Sequence, residues 1–112
     1  MNVAIIGAGL IGTKRARALP KDVNLVIVCN IDQKKAAKLS GEFKCESETD
    51  WRKVVNNPKI QSIIVCTPNK YLSVIATSAI LHGKHILIEK PGARNLKELD
   101  KIPSPYLSGI MD

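Results

Sequence analysis

The chain has 112 residues, 45% hydrophobic and 24% charged, which is typical of a globular domain with one buried core. Seventeen basic and ten acidic residues give a net charge of +7. The lysines are scattered over predicted helix faces with few aromatic residues among them, so we expect a solvated basic surface and no nucleic-acid partner. The longest uncharged stretch, residues 71–81, is far below the roughly 20 residues of a membrane span, so we expect no membrane partner.

Short apolar runs alternate with longer helical stretches along the chain. Strands are predicted at residues 3–6, 25–29, 43–46, 62–66 and 85–88. Helices are predicted at residues 10–19, 32–39, 50–55, 70–82 and 95–102. Asp32 is a predicted helix cap, Thr49 or Asp50 is another, and Gly41 and Gly83 are predicted stop signals. Such alternation predicts an α/β fold with a doubly wound parallel sheet of about five strands and helices on both faces. The tail, residues 103–112, has no clear period and is left unassigned.

Three cysteines, Cys29, Cys45 and Cys66, show no CxxC spacing and are odd in number. We interpret them as small buried side chains in a reducing compartment, and we expect a cytoplasmic protein without a signal peptide. His82 and His85 form only a weak H-x-x-H pattern. No metal site is expected.

A glycine loop, Gly7-Ala8-Gly9-Leu10-Ile11-Gly12, lies between the first predicted strand and the first predicted helix. In that setting the first glycine permits a tight turn, the second lets a pyrophosphate approach the backbone, and the third lets the helix pack on the sheet. The N–H groups at the helix start, including those of Leu10 and Ile11, supply the anion site. The loop therefore predicts a Rossmann-type dinucleotide site.

An acidic residue is expected roughly 20 residues beyond the loop, where it would hold the adenosine ribose. Asn30 occupies the strand end, and Asp32 follows two residues later. Asn30 would not repel a 2′-phosphate, with which Lys34 or Lys35 could pair, while Asp32 also serves as a predicted helix cap. Both NAD and NADP stay open as the cofactor.

Two further turns, Cys66-Thr67-Pro68-Asn69 and Glu89-Lys90-Pro91, follow the fourth and fifth predicted strands. Together with the glycine loop they make residues 2–102 resemble the N-terminal domain of the glucose–fructose oxidoreductase / inositol dehydrogenase (Gfo/Idh/MocA) family. The resemblance implies an NAD(P)-binding domain, residues 1–102, and hydride transfer to or from a sugar or cyclitol carbon.

The resemblance also implies roles for individual residues near the cofactor. Cys66, Thr67, Pro68 and Asn69 would lie beside its nicotinamide half. Glu89 and Lys90 would follow the fifth strand, and Lys90, the candidate catalytic residue, would contact the substrate hydroxyl or the nicotinamide ribose. A lysine there can polarise the reacting oxygen.

This sequence departs from the family pattern in two ways. Leu72 stands where members often carry a histidine, and the family's second domain, with its substrate pocket and usual catalytic histidine, is missing. We therefore expect cofactor binding without turnover, a small-molecule substrate only together with that domain, and self-association through an uncovered edge at the fifth strand. A stand-alone NAD(P)-sensing module acting through a partner is the alternative; a methyltransferase or a nucleic-acid binder explains fewer of the motifs.

Overall fold

The computed structural model describes residues 1–67, 69–88 and 110–111. Its strands are β1 (Asn2–Ile6), β2 (Asn24–Cys29), β3 (Glu46–Glu48), β4 (Ser62–Val65), β5 (His85–Ile88) and β6 (Ile110–Met111). Its helices are α1 (Leu10–Arg17), α2 (Gln33–Phe43), α3 (Trp51–Val55) and α4 (Asn69–Leu81). The helix predicted at residues 95–102 lies outside the described residues.

The strands form one parallel sheet in the order β3-β2-β1-β4-β5-β6. From β1 the chain moves outward to β2 and β3 and then returns to the other side of β1 with β4. The order therefore reverses between β1 and β4, and a crevice opens there at the carboxyl ends of the strands. The predicted doubly wound parallel sheet is confirmed.

Two apolar clusters cover the two faces of the sheet. The first packs α3 and α4, through residues such as Val54 and Ile75, on side chains of β1, β2, β4 and β5. The second packs α1 and α2, through Ala16 and Leu39, on the opposite face, where Ile5, Val28 and Ile64 lie. Because strands buried on both faces must be apolar throughout, the continuous apolar runs identified β1, β2, β4 and β5.

The prediction that α2 stops at Gly41 is wrong, because the helix continues to Phe43. Its C-cap residue is Lys44, whose φ is 54°. Phe43 packs against the cluster on the α1–α2 face. That contact offsets the cost of one glycine inside a helix, about 1 kcal/mol. The third strand consequently starts later, at Glu46 rather than at Phe43.

The expectation of an uncovered edge at β5 is also wrong. Ile110 and Met111 of the tail pair in parallel with Ile86 and Leu87 of β5. The tail that the sequence left unassigned therefore contributes a short sixth strand to the sheet.

Candidate dinucleotide-binding site

Gly7 contacts the carboxyl ends of three neighbouring strands, β1, β2 and β4. It follows β1 with a φ of 108°, and its N–H donates to the carbonyl oxygen of Cys29 at 2.7 Å. A Cβ at this position would lie 2.7 Å from the carbonyl oxygen of Cys66 and 2.8 Å from its carbonyl carbon. Only glycine satisfies both the positive φ and the close approach of the β4 end. The turn into α1 is thereby fixed at the crevice between β1 and β4.

Gly12 and Gly9 differ in what surrounds them. A Cβ on Gly12 would overlap the carbonyl oxygen of Gly7, so the first turn of α1 can lie against the β1 turn only with glycine there. A Cβ on Gly9 would meet nothing within 4 Å. The described protein itself therefore gives no steric reason for glycine at position 9, whereas a ligand brought close to this backbone would supply one.

Helix α1 begins without a side-chain cap. Gly9 is its N-cap residue, makes no capping hydrogen bond, and is followed by no acidic residue in the first turn. The first intrahelical bond runs from the Thr13 N–H to the Gly9 carbonyl oxygen at 2.9 Å. The N–H groups of Leu10, Ile11 and Gly12 precede that bond and, with the positive end of the helix dipole, form a site for an anion.

At the end of β2, Asn30 and Asp32 bind backbone groups. The Asn30 N–H donates to the Glu48 carbonyl oxygen at 3.0 Å, and Asn30 Oδ1 accepts the Asp32 N–H at 2.9 Å. Asp32 Oδ1 accepts the N–H groups of Lys34 and Lys35 at 2.9 and 3.4 Å. The predicted cap is thus confirmed, and the carboxylate of Asp32 is engaged by α2.

The end of β4 faces the glycine loop. The Cys66 N–H donates to the Ile6 carbonyl oxygen at 2.8 Å, which brings Thr67 beside the turn at Gly7. Thr67 Oγ1 is buried and has no hydrogen-bond partner among the described residues. A buried hydroxyl without a partner is costly, so a polar ligand in the crevice would satisfy it. Asn69 is the first residue of α4, whereas Pro68, Glu89 and Lys90 lie outside the described residues.

Two exposed apolar side chains flank the site. Leu10 is 73% exposed at the start of α1, and Ile31, which sequence reasoning missed, is 75% exposed between Asn30 and Asp32. Its signal was an isolated large apolar residue between two polar turn residues, outside any strand or helix. Exposed apolar side chains of this kind can contact the apolar part of a ligand.

The amino edge of the sheet carries an open groove lined by residues that include Met1, Pro58, Gln61 and His85. Lys84, also in its lining, donates from Nζ to the carbonyl oxygens of Asn57 and Ile60 at 2.6 and 2.7 Å. Burial lowers the pKa of Lys84. The two hydrogen bonds from Lys84 Nζ hold the loop before β4 in place.

The described part of the chain contains no disulfide, no cluster of metal-binding side chains and no membrane-spanning helix. None of the three cysteines there forms a disulfide, and burial, followed by the charges of Glu48 and Asp50, raises the pKa of Cys29 to about 12. Within residues 1–67 and 69–88, no three His, Cys, Asp or Glu side chains are placed to hold a metal ion. The described helices include none that is long and apolar enough to cross a membrane.

A parallel sheet with its order reversed between β1 and β4, and an uncapped helix start behind a glycine turn, define a Rossmann dinucleotide-binding domain. The buried hydroxyl of Thr67 and the open approach at Gly9 fit such a cofactor. The sequence matches the model of the Gfo/Idh/MocA oxidoreductase family, NAD-binding Rossmann fold, over residues 1–103. The chain belongs to that family.

Individual relatives agree with this assignment. The chain is 31% identical over 109 residues to levoglucosan dehydrogenase of Pseudarthrobacter phenanthrenivorans, covering 88% of this chain and 28% of that enzyme. It is 28% identical over 95 residues to inositol 2-dehydrogenase 4 of Saccharopolyspora erythraea, covering 81% of this chain and 28% of that enzyme. The structure of an NAD-binding oxidoreductase from Klebsiella pneumoniae superposes with a TM-score of 0.77 at 28% identity, covering 96% of this chain and 31% of that one.

The chain thus spans under a third of each of these three relatives. The relatives are oxidoreductases, which supports the oxidoreductase interpretation over the alternative of a regulatory sensing module.

Proposed function

We propose that this chain holds the NAD(P) cofactor of a dehydrogenase that oxidises or reduces a hydroxyl or carbonyl carbon of a sugar, cyclitol or similar small molecule. The observation that carries the proposal is the uncapped start of α1 behind the positive-φ turn at Gly7. The sugar or cyclitol substrate is inferred from the two dehydrogenases to which the chain is similar. The 112 residues alone would bind cofactor without turnover.

The glycine loop would take the central part of the cofactor. The N–H groups of Leu10, Ile11 and Gly12 would donate to the pyrophosphate, and Gly9 would leave room for it. Asn30 and Asp32 at the end of β2 would lie at the adenosine ribose. Ile31 would cover one face of the adenine.

The other half of the cofactor would lie along the ends of β4 and β5. Cys66, Thr67, Pro68 and Asn69 would line the nicotinamide half. The cofactor would then give Thr67 Oγ1 a hydrogen-bond partner, which no described residue supplies. Bound nicotinamide supplies the hydride acceptor or donor. The proposed roles of Glu89 and Lys90 rest on the family resemblance alone. Lys90 would donate a hydrogen bond to the reacting oxygen or to the nicotinamide ribose.

Titration of the chain with NADH and NADPH, followed by nicotinamide fluorescence, tests the proposal. Gly9→Ala is expected to weaken binding at least about tenfold, because the added methyl group occupies the approach of the pyrophosphate. Gly41→Ala is the matched control, since Gly41 also has no atom within 4 Å of an added Cβ but lies in α2. Failure of both nucleotides to bind would refute the proposed function.

We further propose a cytoplasmic location, supported by three cysteines that form no disulfide in the described part of the chain, and a homo-oligomer, supported by the exposed apolar side chains of Tyr71, Val74 and Leu81 on α4. Sedimentation of the purified chain measures the second directly. A monomer at all accessible concentrations would contradict it.

A further inference from the structure

Helix α4 exposes apolar side chains on the side that faces away from the sheet. Its inward side carries buried core residues, namely Leu72, Ile75, Ala76 and Ala79. On the outward side Tyr71, Val74 and Leu81 are exposed, the last two by 56% and 60%. Spacings of three, four and three residues place Tyr71, Val74, Ser78 and Leu81 in one row, here named the α4 stripe.

The α4 stripe has no charge, whereas the outer faces of the other described helices are charged. Lys14 of α1, Lys38 of α2 and Arg52 of α3 are exposed, but residues 71–81 contain no charged side chain. An apolar row on a helix surface is normally turned toward a partner. Because each copy of the chain carries a net charge of +7, two copies repel each other except where an uncharged surface lets them approach.

The charges at the two ends of α4 are opposite to those that a single helix favours. Lys70 lies in the first turn, which has no acidic residue, and the last turn has no basic residue. After the last turn, His82 Nδ1 donates to the Ser78 carbonyl oxygen at 2.7 Å, so Nε2 of the neutral ring is an acceptor. The amino end of α4 therefore offers a cation and the carboxyl end offers acceptors. A second α4 running in the opposite direction would match each end with the other.

We propose that the α4 stripe docks on the same stripe of a second copy of this chain, with the two helices antiparallel about a two-fold axis. The inference rests on the homo-oligomer of the proposed function, to which it assigns the contact surface. A two-fold contact must be self-complementary. With the axis level with Ala76, Tyr71 would lie opposite Leu81 of the second copy, and Val74 opposite its Ser78. The larger side chains would meet at the ends, and the small serine would let the helices approach in the middle.

The same arrangement would place Lys70 of each copy at the carboxyl end of the other α4. Lys70 Nζ lies over the ring of Tyr71 at 5.0 Å, a contact that uses none of its N–H donors, and it could donate to His82 Nε2 of the second copy. From Tyr71 to Leu81 the stripe is about 15 Å long at the helical rise per residue. The contact is therefore small, and we expect a weak dimer with a Kd of about 10 to 100 μM.

Sedimentation equilibrium of the chain, at concentrations on both sides of that constant, tests the docking surface. Val74→Lys puts a charge in the middle of the stripe and should raise the dimer Kd by at least about tenfold. Ala37→Lys is the matched control, because it adds the same charge at an exposed position of α2 and should leave the Kd within about twofold. Both variants should keep the urea midpoint of the unmodified chain, since both positions are exposed.

Lys70→Glu tests the antiparallel direction. A carboxylate in the first turn suits the dipole of its own helix, so the urea midpoint should stay the same or rise. It would also lie at the carboxyl end of the other α4, so the dimer Kd should rise about fivefold even though the net charge of the chain falls. An unchanged or lower Kd in this variant would overturn the antiparallel arrangement.

The remaining outcomes separate the inference from the proposals on which it stands. An unchanged Kd with Val74→Lys, or an equal rise with Ala37→Lys, would overturn the α4 stripe as the docking surface while leaving the homo-oligomer standing. A monomer at all accessible concentrations would overturn both. Titration of the same samples with NADH reports separately on cofactor binding, which neither outcome affects.

Discussion

Helices α1 and α2 both begin at the carboxyl end of the sheet, yet their starts are built in opposite ways. At α2 the carboxylate of Asp32 accepts the N–H groups of Lys34 and Lys35. At α1 the N-cap residue is Gly9, which has no side chain and makes no cap. One helix start is satisfied by the protein, and the other is left open for a ligand.

The difference shows where stability has been given up for binding. An aspartate N-cap is only a few tenths of a kcal/mol more stabilising than a glycine N-cap, so the stability that α1 gives up is small. A carboxylate at Gly9 would compete for the same N–H groups that a pyrophosphate needs. An uncapped helix behind a glycine turn with positive φ is thus a more specific sign of an anion site than the glycines alone.

The largest expected effect is that of Gly7→Ala, which tests whether the turn before α1 must have its present shape. The added Cβ would lie 2.7 Å from the Cys66 carbonyl oxygen on a backbone with a φ of 108°. We expect the free energy of unfolding to fall by about 3 kcal/mol or more, measured by urea denaturation. Gly41→Ala, in an open helical position, should leave stability unchanged or raise it by up to about 1 kcal/mol.

Gly9→Asp gives α1 a side-chain cap like the one that Asp32 provides for α2. Stability should rise by only a few tenths of a kcal/mol, roughly the difference between aspartate and glycine as N-caps. Affinity for NADH and NADPH should fall by about a hundredfold, since the carboxylate takes the N–H groups and repels the pyrophosphate. Retained affinity would show that this helix start does not bind the cofactor.

Asp32→Ala removes the side-chain cap of α2. Loss of the hydrogen bonds to the Lys34 and Lys35 N–H groups should lower the free energy of unfolding by about 1 kcal/mol. Urea denaturation measures the change, with Asp22→Ala as a surface control expected to stay within about 0.5 kcal/mol. A negligible loss would indicate that water caps α2 equally well.

The smallest effect concerns the ion pair that joins the two helices. Arg17 at the end of α1 binds Glu42 of α2 through Nε and Nη2 at 2.8 and 2.9 Å. The hydrogen bond from Arg17 lowers the pKa of Glu42, so the stabilisation is present above the ordinary glutamate pKa and is lost as the pH falls through the lowered one.

Because the pair is exposed, we expect only a slight decline in the urea midpoint between neutral and acidic pH, which added salt reduces. Glu42→Gln should remove that part of the decline. An unchanged pH profile in this variant would mean that the pair contributes nothing to the joining of α1 and α2.

The sequence predicted β1, β2, β4 and β5 correctly, because each of these strands is a continuous apolar run that is buried on both faces of the sheet. It placed β3 too early, since Glu46–Glu48 carries no apolar signal and joins the sheet by backbone pairing with β2. It missed β6 for a similar reason, because two residues form no recognisable pattern. Of the candidate site, it found Gly7, Gly9 and Gly12 from spacing but overlooked Ile31.

The sequence by itself determined the alternation of elements, the glycine loop and the cap at Asp32, because these depend on local backbone geometry and on the burial of short segments. Only the tertiary structure decided that Gly7 needs its glycine for the approach of Cys66, since the contact joins residues far apart in the chain. It also decided that α2 continues past Gly41, through the packing of Phe43. The amide orientation of Asn30 depended on the turn to Asp32, which no spacing rule specifies.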